Sequence, residues 1–519
     1  MNPTLLTAVA GLAAVALSMP FAGDTQAQNC NQPLTAAGDS VAWAWGSNFS
    51  GELGDGTNTE RVTPVRVQNL SGLLTVTAGG GHNLALKNDH TVWTWGLNSN
   101  GQLGVGTVLE SLVPVQVSNL SGITAIAGGS FHSLALKNDG TVWAWGWNTF
   151  GQLGDGTNTD RHLPVQVKNL SGVTAIASGG PHSLALKNDG TLWAWGNNFW
   201  GQLGDGTTVH RNTPVRVQNL TGVRCMAAGF EHSLALMSDG TVQAWGENVA
   251  GGLGDGTTTD RHTPVQVSNL SDVKTLAAGI GFSLALKTDG TVWAWGTNDF
   301  GQQGDGTNSD HHTPVQVSTN VSGAIAIAAG GGHSLAVRSN AIVQDWGQNM
   351  EGQLGDGTTT DHPFAVQVVG LVDNLNDVIA VGGGTSHSLV AGRPLTLLTV
   401  RKFLVHPDHN HLRLFNLKID GVTVRANVNG GSTAPQRVSP GTHTVSETGA
   451  QGTPLSAFST VIGGACAANG TVNLAFGDDK LCTITNYDHA GGCPQGAICC
   501  EPGDGVQGCL RCVRSGECP

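Results

Sequence analysis

The chain has 519 residues, too many for one ordinary core, with 76 glycines, 12% charged residues and a net charge of −13. That composition suits short strands joined by tight turns and excludes a fold built on long charged helices. The negative balance argues against nucleic acid and anionic lipid as partners.

The first element is an apolar run, Leu5–Leu17. It is too short to span a bilayer and predicts a secretory signal over residues 1–27, with Thr25-Gln26-Ala27 before the cleavage point. Cys30 follows Gln28-Asn29 and not small residues, so a lipoprotein anchor is not expected. Residues 28–40 read as a linker, and no later segment is apolar enough to cross a membrane.

Next comes a repeat. Trp-Gly pairs begin at Trp45, Trp95, Trp145, Trp195, Trp245, Trp295 and Trp346. A second landmark, His-Ser/Asn-Leu, recurs at His82, His132, His182, His232, His333 and His387, with Phe282 in the sixth slot. So regular a period signals a repeat architecture. Each unit carries the same four strands. ITAIAGG is a first strand, and HSLALKNDG a second closed by an Asp-Gly turn. TVWAWG is a third, and Pro164-Val165-Gln166-Val167 a fourth that starts on a proline, as an edge strand tolerates. Seven such units over residues 41–392 predict a seven-bladed β-propeller. The chain opens on a third-type strand, Val41–Trp45, and the array ends on a second-type strand, His387–Val390, so both ends should share one blade and close the ring.

Between the third and fourth strands lies Gly151-Gln152-Leu153-Gly154-Asp155-Gly156-Thr157 or a close variant of it. It is glycine-rich but has neither the following helix nor the lysine of a phosphate loop. Asp155, Asn158 and Asp160 lack EF-hand spacing. The expected role is a turn, with glycine at positive φ and Asp and Thr bonded locally.

These landmarks resemble the regulator-of-chromosome-condensation repeat: Trp-Gly-x-Asn-x-x-Gly-Gln-Leu-Gly, then Pro-Val-x-Val, then Ala-x-Gly-x-x-His-Ser-Leu-Ala-Leu. The resemblance covers roughly Val41–Val390 and departs from the pattern at Val105, Gln303, Phe282 and Pro363-Phe364-Ala365-Val366. The histidines are expected to bond a neighbouring blade's backbone rather than hold a metal. Trp143 and Trp145 are expected to pack between blades.

The seven units also differ among themselves, in the loop before His and the loop after Trp-Gly. First and third strands run the same way, so both loops emerge on one face. Phe131, Trp147, Phe150, Phe199, Trp200, Phe230 and Phe300 collect there and form the candidate partner-binding site. The alternative is that these rings pack on their own loops.

After Arg393-Pro394 the period stops. Leu395–Asp488 alternates and predicts a β-sandwich. LTVRKFLV, GTHTVSETG and CTITNYD resemble the prealbumin-like domains of surface adhesins and pilins. That resemblance implies an isopeptide bond between Lys402 and Asn486, assisted by Glu447. Residue parity places each of the three on its strand's apolar face. Cys466 and Cys482 are expected to clip the hairpin between them. His406, Asp408, His409 and His411 read as a polar loop or a metal set. The tail, residues 489–519, carries Cys493, Cys499, Cys500, Cys509, Cys512 and Cys518. Three disulfides are expected there, with a zinc site through Cys509 and Cys512 as the alternative.

The expectation is an all-β, exported or cell-surface, monomeric, non-enzymatic scaffold. It binds a protein partner and needs no cofactor, metal, nucleic acid or membrane insertion. No nucleophile–base–orienter set stands out. Exported propellers of the resembled family inhibit β-lactamases through such a face, which makes an inhibitor one concrete version. The alternatives are guanine-nucleotide exchange with chromatin association, by analogy with the family's namesake, and hydrolysis of an extracellular polymer.

Overall fold

A computed structural model describes residues 40–371, 375–405, 414–428, 430–438, 441–450, 458–474 and 478–488, with Leu455 and the short strands Ala497–Ile498 and Val513–Arg514. The signal region and the linker up to residue 39, the His406–His411 set and the six tail cysteines lie outside these residues.

Among the described residues, seven four-stranded antiparallel sheets succeed one another from residue 41 to 394. Here they are numbered one to seven by their Trp-Gly pairs. In blades two to seven the strands lie in chain order. Blade one is composite: Arg61–Arg66 and Val41–Gly46 come from the start, His387–Pro394 and Leu375–Gly383 from the end. Val41–Gly46 pairs with His387–Gly392 in unbroken register, Val41 opposite Gly392 and Trp45 opposite Ser388. Both edges are thereby covered.

Each second strand reads as a continuous run, not an alternation, because it has a blade on either side. His132–Lys137 is buried at its first five positions. Fourth strands such as Arg161–Gln166 sit at the rim, partly exposed, where Pro164 forfeits no needed donor. Apolar clusters run from blade to blade. Leu84 and Leu86 of blade two pack with Ile126, Ala135 and Trp145 of blade three. Trp45 and Val390 of blade one pack with Leu335 and Val343 of blade seven.

The recurring loop is a socket for the next blade. Gly151, Gly154 and Gly156 have φ of +84°, +66° and +79°, a region costly for any residue with a Cβ. A Cβ on Gly154 would stand 2.9 Å from the indole nitrogen of Trp195, and that nitrogen donates to the Gln152 carbonyl at 2.8 Å. The Trp45 indole donates likewise to the Gln353 carbonyl at 2.8 Å and closes the ring. Within the turn, Asp155 accepts from the Thr157 backbone and hydroxyl at 2.9 and 2.7 Å. Its other oxygen takes Arg161 at 2.7 Å.

After residue 394 the described strands form a two-stranded pair, Ala497–Ile498 with Val513–Arg514, and two larger sheets. One centres on Leu397–Val405 beside Asp479–Asp488 in parallel, flanked by Phe458–Gly464. The other joins Val422–Val428, Leu414–Ile419, Gly441–Ala450 and Thr471–Leu474. Leu398, Val400 and Ile484 of the first share an apolar cluster with Phe415, Leu417 and Val472 of the second. Cys466 and Cys482 are joined by a disulfide.

Candidate binding face

The histidines act one step differently from expectation. His82 Nε2 lies 2.9 Å from the Ser133 hydroxyl of the next blade, not from backbone. The hydroxyl hydrogen is already given to the Gln102 carbonyl at 2.9 Å, so the imidazole donates from Nε2. Each further histidine repeats this relay, ending at His387, which bonds the side-chain oxygen of Asn83 at 2.9 Å. In the sixth slot Phe282 fills the space and Ser334 keeps only the Gln302 carbonyl. All six rings are buried. Burial pulls His82, His132, His182 and His333 down to about 3, and His232 and His387 to about 4. They are neutral struts. Among the described residues, no group of three or more His, Cys, Asp or Glu gathers as a metal site.

The Trp pairs pack between blades, on unequal terms. Trp145 is fully buried. Trp143 is half-buried beneath the Lys137 ammonium, 5.6 Å from its ring centre.

The seven aromatic candidates fall into groups. Phe131 meets Trp147 edge-to-face at 5.9 Å, Trp147 meets Phe150 at 5.3 Å, and Phe150 meets the His210 ring at 5.0 Å. His210 closes the loop that carries Phe199 and Trp200, themselves edge-to-face at 4.8 Å. One connected aromatic string therefore crosses blades three and four. Phe230 leans against the backbone of Gly180 in the neighbouring blade. Phe300 belongs elsewhere, in a cleft of about 370 Å³ lined chiefly by loops of blades five and six and reaching blades seven and one at Gly331, Gly332, Gln348 and Thr385. Trp147, Phe150, Trp200 and Phe300 are half-buried, whereas Phe199 is 62% exposed.

Sequence reasoning missed exposed apolar residues on this face. Phe49, Val249 and Met350 are 66%, 65% and 64% exposed. They occupy the same slot as Phe199, the third residue after the Gly of Trp-Gly. Aligning that column finds them; looking only for a run of aromatic rings does not.

Acidic groups crowd the same loops. Burial, with Glu247 nearby, pushes Glu231 up to about 7, and the Gln202 amide is its donor. Burial and Asp260 raise Glu247. A second missed feature is Asp345, fully buried where other blades have Ala or Thr. Burial lifts its carboxyl far above the usual range, and Trp45 donates to it at 3.3 Å.

In the C-terminal sheets, Lys402 Nζ stands 2.7 Å from Glu447 and 4.2 Å from the Phe415 ring centre. The lysine–glutamate contact is an ion pair off hydrogen-bond alignment, and both Asn486 side-chain atoms are buried without a partner. Lys402 is 1% exposed and Phe403 43%, which settles which face of the strand points inward. Asn486 lies one pleat along on the adjoining parallel strand, opposite Leu404. Burial lowers the Lys402 pKa, opposed by Glu447. Cys225 is also disulfide-bonded.

Residues 28–283 match the family model described as RCC1-like domain. Residues 289–337 and 345–391 match the Regulator of chromosome condensation (RCC1) repeat. No curated protein matches the sequence. Among solved structures, Prp20p of Saccharomyces cerevisiae, studied for its binding to Gsp1p and histones, is similar at 26% identity and a TM-score of 0.63. That likeness covers 70% of this chain and 93% of Prp20p. Human WBSCR16 shares the fold at 24% identity and a TM-score of 0.61, over 69% of this chain and 99% of its own.

Proposed function

Because the chain belongs to the regulator-of-chromosome-condensation repeat family, we propose that it is a protein-binding scaffold, and not an enzyme, that engages its partner through the loop face of the propeller. The observation that carries this reading is the connected ring string Phe131–Trp147–Phe150–His210 beside Phe199–Trp200. Aromatic anchors fixed on a rigid ring lose little freedom on binding and bury large area. Prp20p supplies a structural relative that binds proteins.

The protein works outside the cell in this reading, with residues 1–27 removed as a signal and the C-terminal sheets serving as an adhesin-type stalk. The stalk carries an isopeptide bond. Burial favours a neutral Lys402 amine, which attacks the Asn486 carboxamide carbon. Glu447 moves the protons, a Lys–Asn amide forms, and the Asn486 carbon–nitrogen bond breaks to release ammonia.

Capture of partners from medium and cell surface, read by mass spectrometry, tests the binding face. Trp147→Ala with Trp200→Ala should abolish a capture that wild type gives, at an expected cost of about 2–4 kcal/mol in affinity. Equal capture by a double variant of unchanged melting temperature refutes the reading.

A further inference from the structure

Charge is divided between the two faces of the ring. The loops joining first to second strands and third to fourth strands contain no Lys or Arg in any of the seven blades. Lysines lie at the other end, where second strands finish: Lys87, Lys137, Lys187 and Lys287 each stand over a Trp ring. Four arginines begin fourth strands next to the loops, but each is bound to the Asp of its own turn at 2.7–2.9 Å. The loop face thus offers carboxylates with no cation to answer them.

The cleft that holds Phe300 concentrates this imbalance. Val249, Ile280 and Phe300 line it with apolar surface, and Glu247 and Asp299 line it with carboxylates. Glu231 adds a third acid that interacts with Glu247. Val249 and Ile280 are 65% and 43% exposed, so the apolar lining is open to an incoming group.

We propose that this cleft receives an arginine or lysine side chain of the protein partner, its aliphatic stem against Val249, Ile280 and Phe300 and its charged head at Glu247 and Asp299. Long cationic side chains bury their stems while keeping the head on polar groups. Carboxylates crowded without a counter-ion gain more from an arriving cation than isolated ones do. The inference rests on the loop face being the binding face and adds the chemistry of what it binds.

The probe is the peptide Ac-Leu-Arg-Leu-Arg-Leu-NH2, titrated by calorimetry against the full chain beside its neutral citrulline twin. Free arginine amide is a separate arm that distinguishes a small-molecule site. The arginine peptide should bind about tenfold more tightly than the citrulline peptide, as expected for charge-assisted hydrogen bonds. The advantage should shrink in 0.5 M salt, roughly fivefold or more, and vanish in Glu247→Gln/Asp299→Asn with melting unchanged. Equal binding of the two peptides, an advantage that survives in that variant, no peptide binding, or tighter binding of arginine amide than of the peptide would each overturn the proposal. If Trp147→Ala/Trp200→Ala loses the captured partner while the peptides are not told apart, the binding face stands and this inference alone falls.

Discussion

Six buried neutral histidines should make the propeller lose stability on mild acidification. Their folded values lie at about 3 to 4, and an unfolded histidine titrates near 6.5. Below pH 6.5 the unfolded chain therefore binds more protons than the folded one, and stability falls as pH falls. Between pH 6 and pH 5 each ring accounts for about 1.2 kcal/mol, about 7 kcal/mol for the set. Among the described residues, five carboxyls with raised values work the other way. Glu231, raised to about 7, and Asp345, Glu247, Glu52 and Glu60, raised chiefly by burial, hold protons in the folded state that the unfolded state releases. Glu231 returns about 1 kcal/mol over the same interval, and no carboxyl can return more than about 1.4 kcal/mol per pH unit, so the histidines outweigh them and a net loss remains. The Asp55, Asp155, Asp205 and Asp255 carboxyls are lowered and act only at still lower pH. Urea unfolding followed by tryptophan fluorescence reads the loss as a falling midpoint. The His132→Phe variant isolates the cause, since Phe282 already fills the equivalent slot in blade six. Its slope should be shallower than wild type by the share of one histidine. A midpoint that holds or rises from pH 6 to pH 5, or a His132→Phe slope identical to wild type, refutes the reasoning.

Deleting Val41–Trp45 removes most of the ladder to His387–Gly392 and the Trp45 anchor in blade seven, so aggregation should follow. A soluble monomer that melts like wild type contradicts ring closure by strand exchange. Intact mass after disulfide reduction should be lower than the sequence mass by one ammonia, with Glu447→Ala restoring it. A full-mass wild type leaves Lys402 and Glu447 as a buried ion pair beside an unbonded Asn486. Non-reducing peptide mapping should find Cys225 cross-linked, and if the six tail cysteines pair among themselves its mate is Cys30; a free Cys225 thiol overturns this.

What could be read in advance follows from redundancy. The blade strands, the turn at Asp155 and the shared closing blade were legible because seven copies repeat the same constraint, and each repeat is an independent reading of it. The histidine relay was half legible. Its buried, structural character follows from the repeat, but the hydroxyl acceptor required knowing that His82 faces Ser133, the residue beside the next histidine, 51 positions along. Lys402 was legible by strand parity, which any alternating strand obeys.

The proposed binding face is legible for the opposite reason. A scaffold position must satisfy the same neighbours in every blade, so its residue recurs. A position that touches only a partner is released from that demand, so it varies between blades and has no second copy to check it against. Phe49, Phe199, Val249 and Met350 share one exposed slot with Ser99, Thr149 and Asp299. Their disagreement marks the slot as free of the fold. Which of them a partner uses depends on complementary chemistry that the ring does not contain, and the one physical restriction on that chemistry lies in the loop sequences themselves. Seven loop pairs without a lysine or arginine favour a cationic partner, because an anionic one would meet acidic groups with no cation beside them at Glu247 and Asp299.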